Sequence, residues 1–307
     1  MSLNITEAIY GSDEAKFIDV TEIIKSSVKD NNLKILLNNA LFGDDPCPNV
    51  RKELRIKYEL DGEEVEKTFG EGVIIEIPEV ERVLKKSRVV YNFDEITLAA
   101  HCWGNNSYLT SLVWSYLQFN QSTNFGKKIF FIADNIDTSE YDNLFKEESI
   151  DVIRISADYN LPKYSRFIVK DLNNYINTDF VLVFQSDGFI INPSGWTEDY
   201  LNYDYVGAPW WYGDNNNVGN GGFSLRSKKL LDILSNDDHI KETDPEDHNI
   251  CRVYGNYLKN KGIKFAPTDL ASKFSVESGE YNSQFGFHGK WHLQGYINQL
   301  LASPVAS

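Results

Sequence analysis

The chain is poor in cysteine, in basic charge and in long apolar runs, and each shortage excludes something. Cys47, Cys102 and Cys251 are the only cysteines. They stand alone, without a CxxC or paired spacing, which speaks against a zinc site and against a disulfide framework and fits a reducing compartment. Lys and Arg number 30 against 45 Asp and Glu, a formal net charge of −15. That balance excludes nonspecific nucleic-acid binding and docking on anionic membranes, but not an anionic substrate, since a local site needs few cations. No apolar run approaches a membrane span, and MSLNITEAIYGSDEAKF lacks a basic region followed by an apolar one. The expectation is a soluble, cytoplasmic protein with no transmembrane segment and no nucleic-acid partner.

What is present falls into two patterns. Up to about residue 80, short apolar or alternating segments (FIDVTEII, LKILLNNALFG, KELRIKYEL, GVIIEIP) are separated by turn-formers. Asp61-Gly62 between alternating runs is a two-residue hairpin signal. A small β-rich domain over 1–80 follows, with one short helix near 20–30 and no metal-ligand constellation among its acids. A charged segment, 79–87, reads as a linker or short helix. From 88 to 307 strands alternate with helices: ITLAAH, SYLTSLVWSYLQF, KKIFFIA, YDNLFKEE, DVIRIS, PKYSRFIVKDLNNYI and FVLVF. This order predicts a parallel sheet with right-handed crossovers, a nucleotide-binding type of half. With 42% hydrophobic residues in 307, the chain can bury a sizeable core and form two domains.

The apolar run Phe180–Phe184 reads as a strand buried on both faces. It ends in Gln185-Ser186-Asp187-Gly188, and the carboxyl end of a central strand is where open α/β sheets place ligand chemistry. A strand-end Asx turn with Gly188 is the lesser alternative for Asp187. Gly219-Asn220-Gly221-Gly222 lets backbone approach a ligand, and Asn220 offers a donor and an acceptor. Trp210 and Trp211 suit the apolar faces of a sugar, although a hairpin turn and core tryptophans would give the same string. Asp244-Pro245 predicts a helix start with Asp244 as N-cap, placing Glu246 and Asp247 in a first turn where acids complement the dipole without any catalytic purpose. Arg166 and Lys170, at i and i+4, share a helical face that is either solvated or anion-binding. His292, four residues after His288, would form a two-histidine face only on a helix, which Gly289 disfavours.

Taken in order, QSDGF, YDYVGAPWW, VGNGGFSLRS, EDHNIC and FGFHG resemble a family of GT-A-fold glycosyltransferases catalogued as a domain of unknown function. The similarity runs from about Arg88 to the C-terminal region. It implies a GT-A-like nucleotide-binding mixed sheet flanked by helices, a nucleotide-sugar donor, and a glycan or other hydroxyl acceptor. The acceptor loop would be Trp210, Trp211, Asn220, Gly221 and Gly222. Asp187 matches the second carboxylate of the family's Asp-x-Asp, with Gln185 in place of the first, so a divalent metal (Mn2+ or Mg2+) would be held by Asp187 with His288. Asp247, assisted by Glu246, would be the base of an inverting displacement. Donor contacts would come from Gln185, Tyr164, Arg166, Lys170 and His101, with Asp134 in a position similar to that of His101. The N-terminal string resembles a β module found beside unrelated partners, including some J-domain co-chaperones, and implies a docking or spacer unit with its own protein partner. A non-catalytic glycan-binding protein on the same scaffold is the alternative. A metal-dependent hydrolase lacks a second carboxylate or HxH cluster near Asp187.

Overall fold

The computed structural model describes residues 2–29, 31–43, 45–48, 50, 52–71, 74–77, 89–214 and 216–302. The chain divides into two compact units, one of Met1–Lys85, Ser107–Trp114 and Gln294–Ser307, the other of Lys86–Asn106 and Ser115–Leu293. The segment 79–87, expected to be a linker, lies outside the described residues.

The first unit contains β1 (Leu3–Gly11), β2 (Phe17–Asp19), α1 (Thr21–Ser27), β3 (Val28–Lys29), β4 (Asn32–Leu36), α2 (Asn39–Phe42), β5 (Glu53–Leu60), β6 (Glu63–Gly70) and β7 (Ile74–Ile77). They form two antiparallel sheets, ordered β2-β1-β5-β6 and β3-β4-β7. Asp61 and Gly62, at φ 52° and 89°, make the β5–β6 turn. Two left-handed residues match the twist of paired strands, and Gly accepts that conformation without cost. Strand β1 is absent from the segments singled out by alternation, because a register shift between Ile5 and Glu7 breaks the two-residue period. Its buried Ile5, Ala8 and Tyr10 join Leu33, Leu54, Ile56 and Ile75 in one core.

The second unit is built on β8 (Tyr91–Cys102), β9 (Thr123–Ala133), β10 (Ile150–Ile155), β11 (Phe180–Phe184), β12 (Tyr205–Gly207) and β13 (Ser224–Ser227). Helix α3 (Asn106–Leu117), which follows β8, has its residues Ser107–Trp114 in the first unit, whereas the crossovers after β9 and β10 carry α4 (Asp142–Glu147) and α5 (Leu161–Arg166). The sheet order is β10-β9-β8-β11-β13-β12. Its first four strands are parallel, whereas β13 runs antiparallel to β11 and β12. The mixed α/β sheet flanked by helices is the sheet type and layering expected from the sequence. Strand β11 lies inside the sheet, which is why Val181–Phe184 are all buried and read as an unbroken apolar run.

The remaining elements are α6 (Lys228–Asn236), α7 (Glu246–His248), α8 (Gly255–Asn260), α9 (Thr268–Phe274), β14 (Ser275–Val276), β15 (Gly286–Phe287) and α10 (Lys290–Ala302). Helix α5 departs from the expected single α-helix: it passes into a π turn over Phe167–Asp171 and a 3-10 turn over Leu172–Tyr175. Helix α7 begins one residue later than expected. Pro245 is its N-cap, and Asp244 makes no cap. No helix of the described residues is long and apolar enough to cross a membrane.

Candidate functional site

At the carboxyl end of β11 the chain reverses through Gln185 and Gly188, which exchange two backbone hydrogen bonds of 3.1 Å each and leave Ser186 and Asp187 at the tip. The C-terminal segment returns to this tip: Gly289 N–H donates to the Asp187 carbonyl at 2.8 Å. Strands β14 and β15 pair in parallel with Val276 opposite Phe287, so the next residues, Glu277 and His288, stand side by side. His288 is thereby inserted among residues distant in sequence. Its Nε2 lies 3.7 Å from Asp187 Oδ1 and 3.3 Å from Gln185 Oε1, and its Nδ1 lies 2.9 Å from Asn220 Nδ2 and 3.4 Å from Glu277 Oε1. Nδ1 thus meets both the Asn220 amide and the Glu277 carboxylate, and Nε2 meets Gln185 Oε1 and Asp187 Oδ1, so the tautomer sets which nitrogen donates. Burial pushes the imidazole pKa down, but the Glu277 hydrogen bond and the charges of Asp187, Glu277 and Asp247 outweigh it and raise the pKa.

Two glycines make room for that ring. A Cβ on Gly222 would fall 2.1 Å from His288 Nε2, and one on Gly188 would fall 2.7 Å from His288 Cδ2. Asn220, at φ 57°, is buried, with its amide given to His288 and its Oδ1 accepting from Phe223 N–H. Gly221 N–H donates to Asp247 Oδ2 at 2.8 Å, while His248 N–H donates to Asp247 Oδ1 at 2.7 Å. Asp247 therefore sits half-buried at the loop with both oxygens oriented. Glu246 points the other way. It is buried against Arg226, whose Nη2 donates to Glu246 Oε1 at 2.8 Å and whose side chain is 0% exposed. Burial raises the Glu246 carboxyl pKa even though Arg226 opposes the shift. A Cβ on Gly221 would lie 2.1 Å from Glu246 Oε1, so this pair backs the loop directly.

His101, at the end of β8, stacks on Phe131 (ring centroids 4.5 Å apart) and meets Tyr164 and Phe167 edge-on. Both of its ring nitrogens and the Tyr159 hydroxyl are buried without a hydrogen-bond partner among the described residues. Burial, aided by the charge of Arg226, pushes the His101 pKa down to about 3 and keeps the ring neutral. Tyr164 is buried beside Gln185, its hydroxyl 3.5 Å from Gln185 Nε2.

The fold brings together Gln185, Asp187, Asn220, Gly221, Gly222, Asp247 and His288. Other expected contacts lie elsewhere. Lys170 donates to the carbonyls of Leu234 (2.8 Å) and Asp237 (3.0 Å) at the end of α6, so its charge serves a helix terminus. Arg166 is exposed, with Asp171 at 3.9 Å. Trp210 covers Gly219, whose added Cβ would lie 2.2 Å from the indole, whereas Trp211 is 74% exposed. Asp134 is exposed beyond β9. His292 does lie on a helix, α10, but His288 precedes that helix, and His292 Nε2 instead contacts the Glu277 carbonyl at 3.1 Å. Glu277 and Arg226 were not anticipated. Glu277 carries no local signal, and Arg226 occupies a strand whose two faces are both covered.

Among the described residues no group of three or more His, Cys, Asp or Glu could hold a metal ion. Asp187 Oδ1 and His288 Nε2 are a two-donor pair, which a metal would complete with ligands from a substrate.

Residues 149–288 match a family described as "Protein of unknown function (DUF5672)". No curated protein matches the chain. Among solved structures, it is similar to the mannosyltransferase PcManGT from Pyrobaculum calidifontis in complex with GDP-Man and Mn2+ (9% identity, TM-score 0.38, 61% of this chain and 59% of that one). It is also similar to the glycosyltransferase GlyE of Streptococcus pneumoniae TIGR4 (13% identity, TM-score 0.36, 58% and 45%). A third is glucosyl-3-phosphoglycerate synthase from Mycobacterium tuberculosis in complex with Mn2+, UDP and phosphoglyceric acid (13% identity, TM-score 0.30, 44% and 56%). The chain spans about half the length of these glycosyltransferases.

Proposed function

We propose that the chain is a nucleotide-sugar-dependent glycosyltransferase acting on a hydroxyl acceptor with inversion. The observation that carries this reading is the convergence of Asp187, His288, the Asn220–Gly222 loop and Asp247 at the carboxyl end of the central strand. Asp247 accepts the acceptor's hydroxyl proton as that oxygen attacks the anomeric carbon, and the nucleoside diphosphate departs from the opposite face. Its two backbone hydrogen bonds fix the carboxylate and leave lone pairs for the substrate. Glu246 acts through Arg226 and Gly221 as a positioning residue. The neutral His101 and the Tyr159 hydroxyl, with unpaired polar atoms and flat ring faces, suit a nucleobase. Asp187 Oδ1 and His288 Nε2 are the groups that would hold a divalent metal, Mn2+ in preference to Mg2+ for an imidazole–carboxylate pair; when bound it would neutralise diphosphate charge. Residues 1–80 form a docking or spacer module for a protein partner, and 88–307 carry the reaction. The three free, buried thiols suit a cytoplasmic location.

One observation favours a second reading, a glycan-binding protein without catalysis: Gln185 occupies the position of a carboxylate, and the metal-type pair has no third member among the described residues. A thermal-shift panel of UDP-, GDP-, CMP- and dTDP-sugars with and without Mn2+ separates the two. A donor should raise the melting temperature by mass action, and Asp187→Ala should remove the shift. Asp247→Asn should keep the shift while turnover falls by about 10²–10⁴-fold. A chain stabilised by glycans and by no nucleotide sugar would establish the second reading.

A further inference from the structure

A cavity of about 430 Å3 is lined by Asn217 and Val218, just before the glycine loop, and no residue expected to bind ligand lines it. Its size is within the ~300–1,000 Å3 of small-molecule sites. Two stretches of chain form its inner wall. Val218 leads within three residues to Gly221, and Cys251 follows Asp247 by four; Gly221 and Asp247 share the 2.8 Å hydrogen bond described above. The outer wall is the 264–268 strip. Hydrogen bonds from Asp204 N–H to the Lys264 carbonyl (2.7 Å) and from Ala266 N–H to the Tyr205 carbonyl (3.0 Å) lay it along β12 and turn Phe265 into the cavity lining.

The chemistry of the lining is specific in kind. Phe265 offers an aromatic face. Thr268 Oγ1 donates to Asn217 Oδ1 at 2.9 Å, which orients the Asn217 amide and leaves its NH2 group and the Tyr203 hydroxyl without partners among the described residues. The lining carries one charge of each sign: Asp214, which Arg252 holds through two bonds of 2.7 and 2.9 Å, and Lys259, whose ammonium donates to Asn216 Oδ1 and lies over the Phe265 ring. An aromatic face with carboxamide and hydroxyl groups, in a lining whose two charged residues are of opposite sign, fits a neutral polyhydroxylated ring, which stacks C–H groups and takes directed hydrogen bonds. We infer that this cavity is the subsite for a neutral glycosyl residue of the acceptor, with Phe265 as its platform and Tyr203, Asn217 and Thr268 as its polar contacts. The inference deepens the proposed function and rests on it for the role of acceptor. It also explains how a sugar can be bound when Trp210, Asn220, Gly221 and Gly222 are engaged with their own neighbours.

The test uses the full chain and ligand-observed NMR titration of the methyl glycosides of glucose, galactose, mannose and N-acetylglucosamine, alongside glucuronic acid and glucose 6-phosphate. At least one neutral glycoside should bind. Tyr203→Phe and Thr268→Val each delete one polar contact without opening the core, and each should weaken that binding by about threefold to tenfold. Both variants should keep the nucleotide-sugar thermal shift of the wild type. Trp211→Ala should leave glycoside binding unchanged. The assignment is overturned if no glycoside binds, if both cavity variants bind as wild type does, if Trp211→Ala abolishes binding, or if the charged sugars bind more tightly than the neutral ones. Glycoside binding that responds to the cavity variants, in a chain that binds no nucleotide sugar, would uphold the subsite and remove the glycosyltransferase reading.

Discussion

Gly222→Ala is the sharpest single perturbation of the cluster. A methyl group there would stand 2.1, 2.4 and 2.6 Å from three atoms of the His288 ring. The ring has little room to retreat, because Gly188 also lies close against it and Nδ1 is in contact with Asn220 and Glu277. Overpacking of this kind costs about 1–3 kcal/mol. In a domain of this size each kcal/mol lowers Tm by roughly 2–4 °C. Gly213→Ala, where an added Cβ meets nothing within 4 Å, is the control and should be silent. The double variant Gly222→Ala/His288→Ala should recover much of the lost stability, giving a coupling of about 0.5–3 kcal/mol in a double-mutant cycle, while the nucleotide-sugar thermal shift stays absent. Urea unfolding monitored by circular dichroism supplies the stabilities. A Gly222→Ala protein as stable as wild type, with its donor shift intact, would refute the placement of His288 between the two glycines.

Three further outcomes follow from the same geometry. Glu246→Ala should cost about 3–5 kcal/mol in urea unfolding, because it strands the buried Arg226 guanidinium; Glu246→Gln, which keeps an acceptor for Nη2, should cost markedly less. Because the folded-state pKa of His288 is raised above 6.5, its contribution to stability is complete below pH 6.5 and is lost as pH rises through the folded value. The slope of Tm against pH above 6.5 should therefore flatten in His288→Gln, and an unchanged slope would count against the Glu277 and Asp187 contacts. Limited proteolysis should cut between residues 79 and 91 and leave a fragment beginning near 88; one resistant core across that stretch would exclude the proposed module.

Local pattern was enough to read the order of strands and helices from β8 to β11, the Asp61-Gly62 hairpin and the buried central strand. Those features arise from side-chain periodicity and from backbone conformations that only a few residues accept. It also marked Asp187, the glycine loop, Asp247 and His288 as chemically notable, but it could not rank them. Only the tertiary structure decided that Glu246, adjacent to Asp247, turns inward to a buried arginine, because the direction of a side chain at a helix start depends on what lies behind it. Likewise the glycines that looked like open backbone for a ligand are spaces for His288, Glu246 and Trp210. Lys170 is unavailable to a ligand because its ammonium bonds the carbonyls at the end of α6, an element 64 positions further along the chain. His288 and Gln185 meet although 103 positions separate them. Contacts of that range are set by the pairing of β14 with β15 and by the reversal after β11, and no local propensity encodes either one.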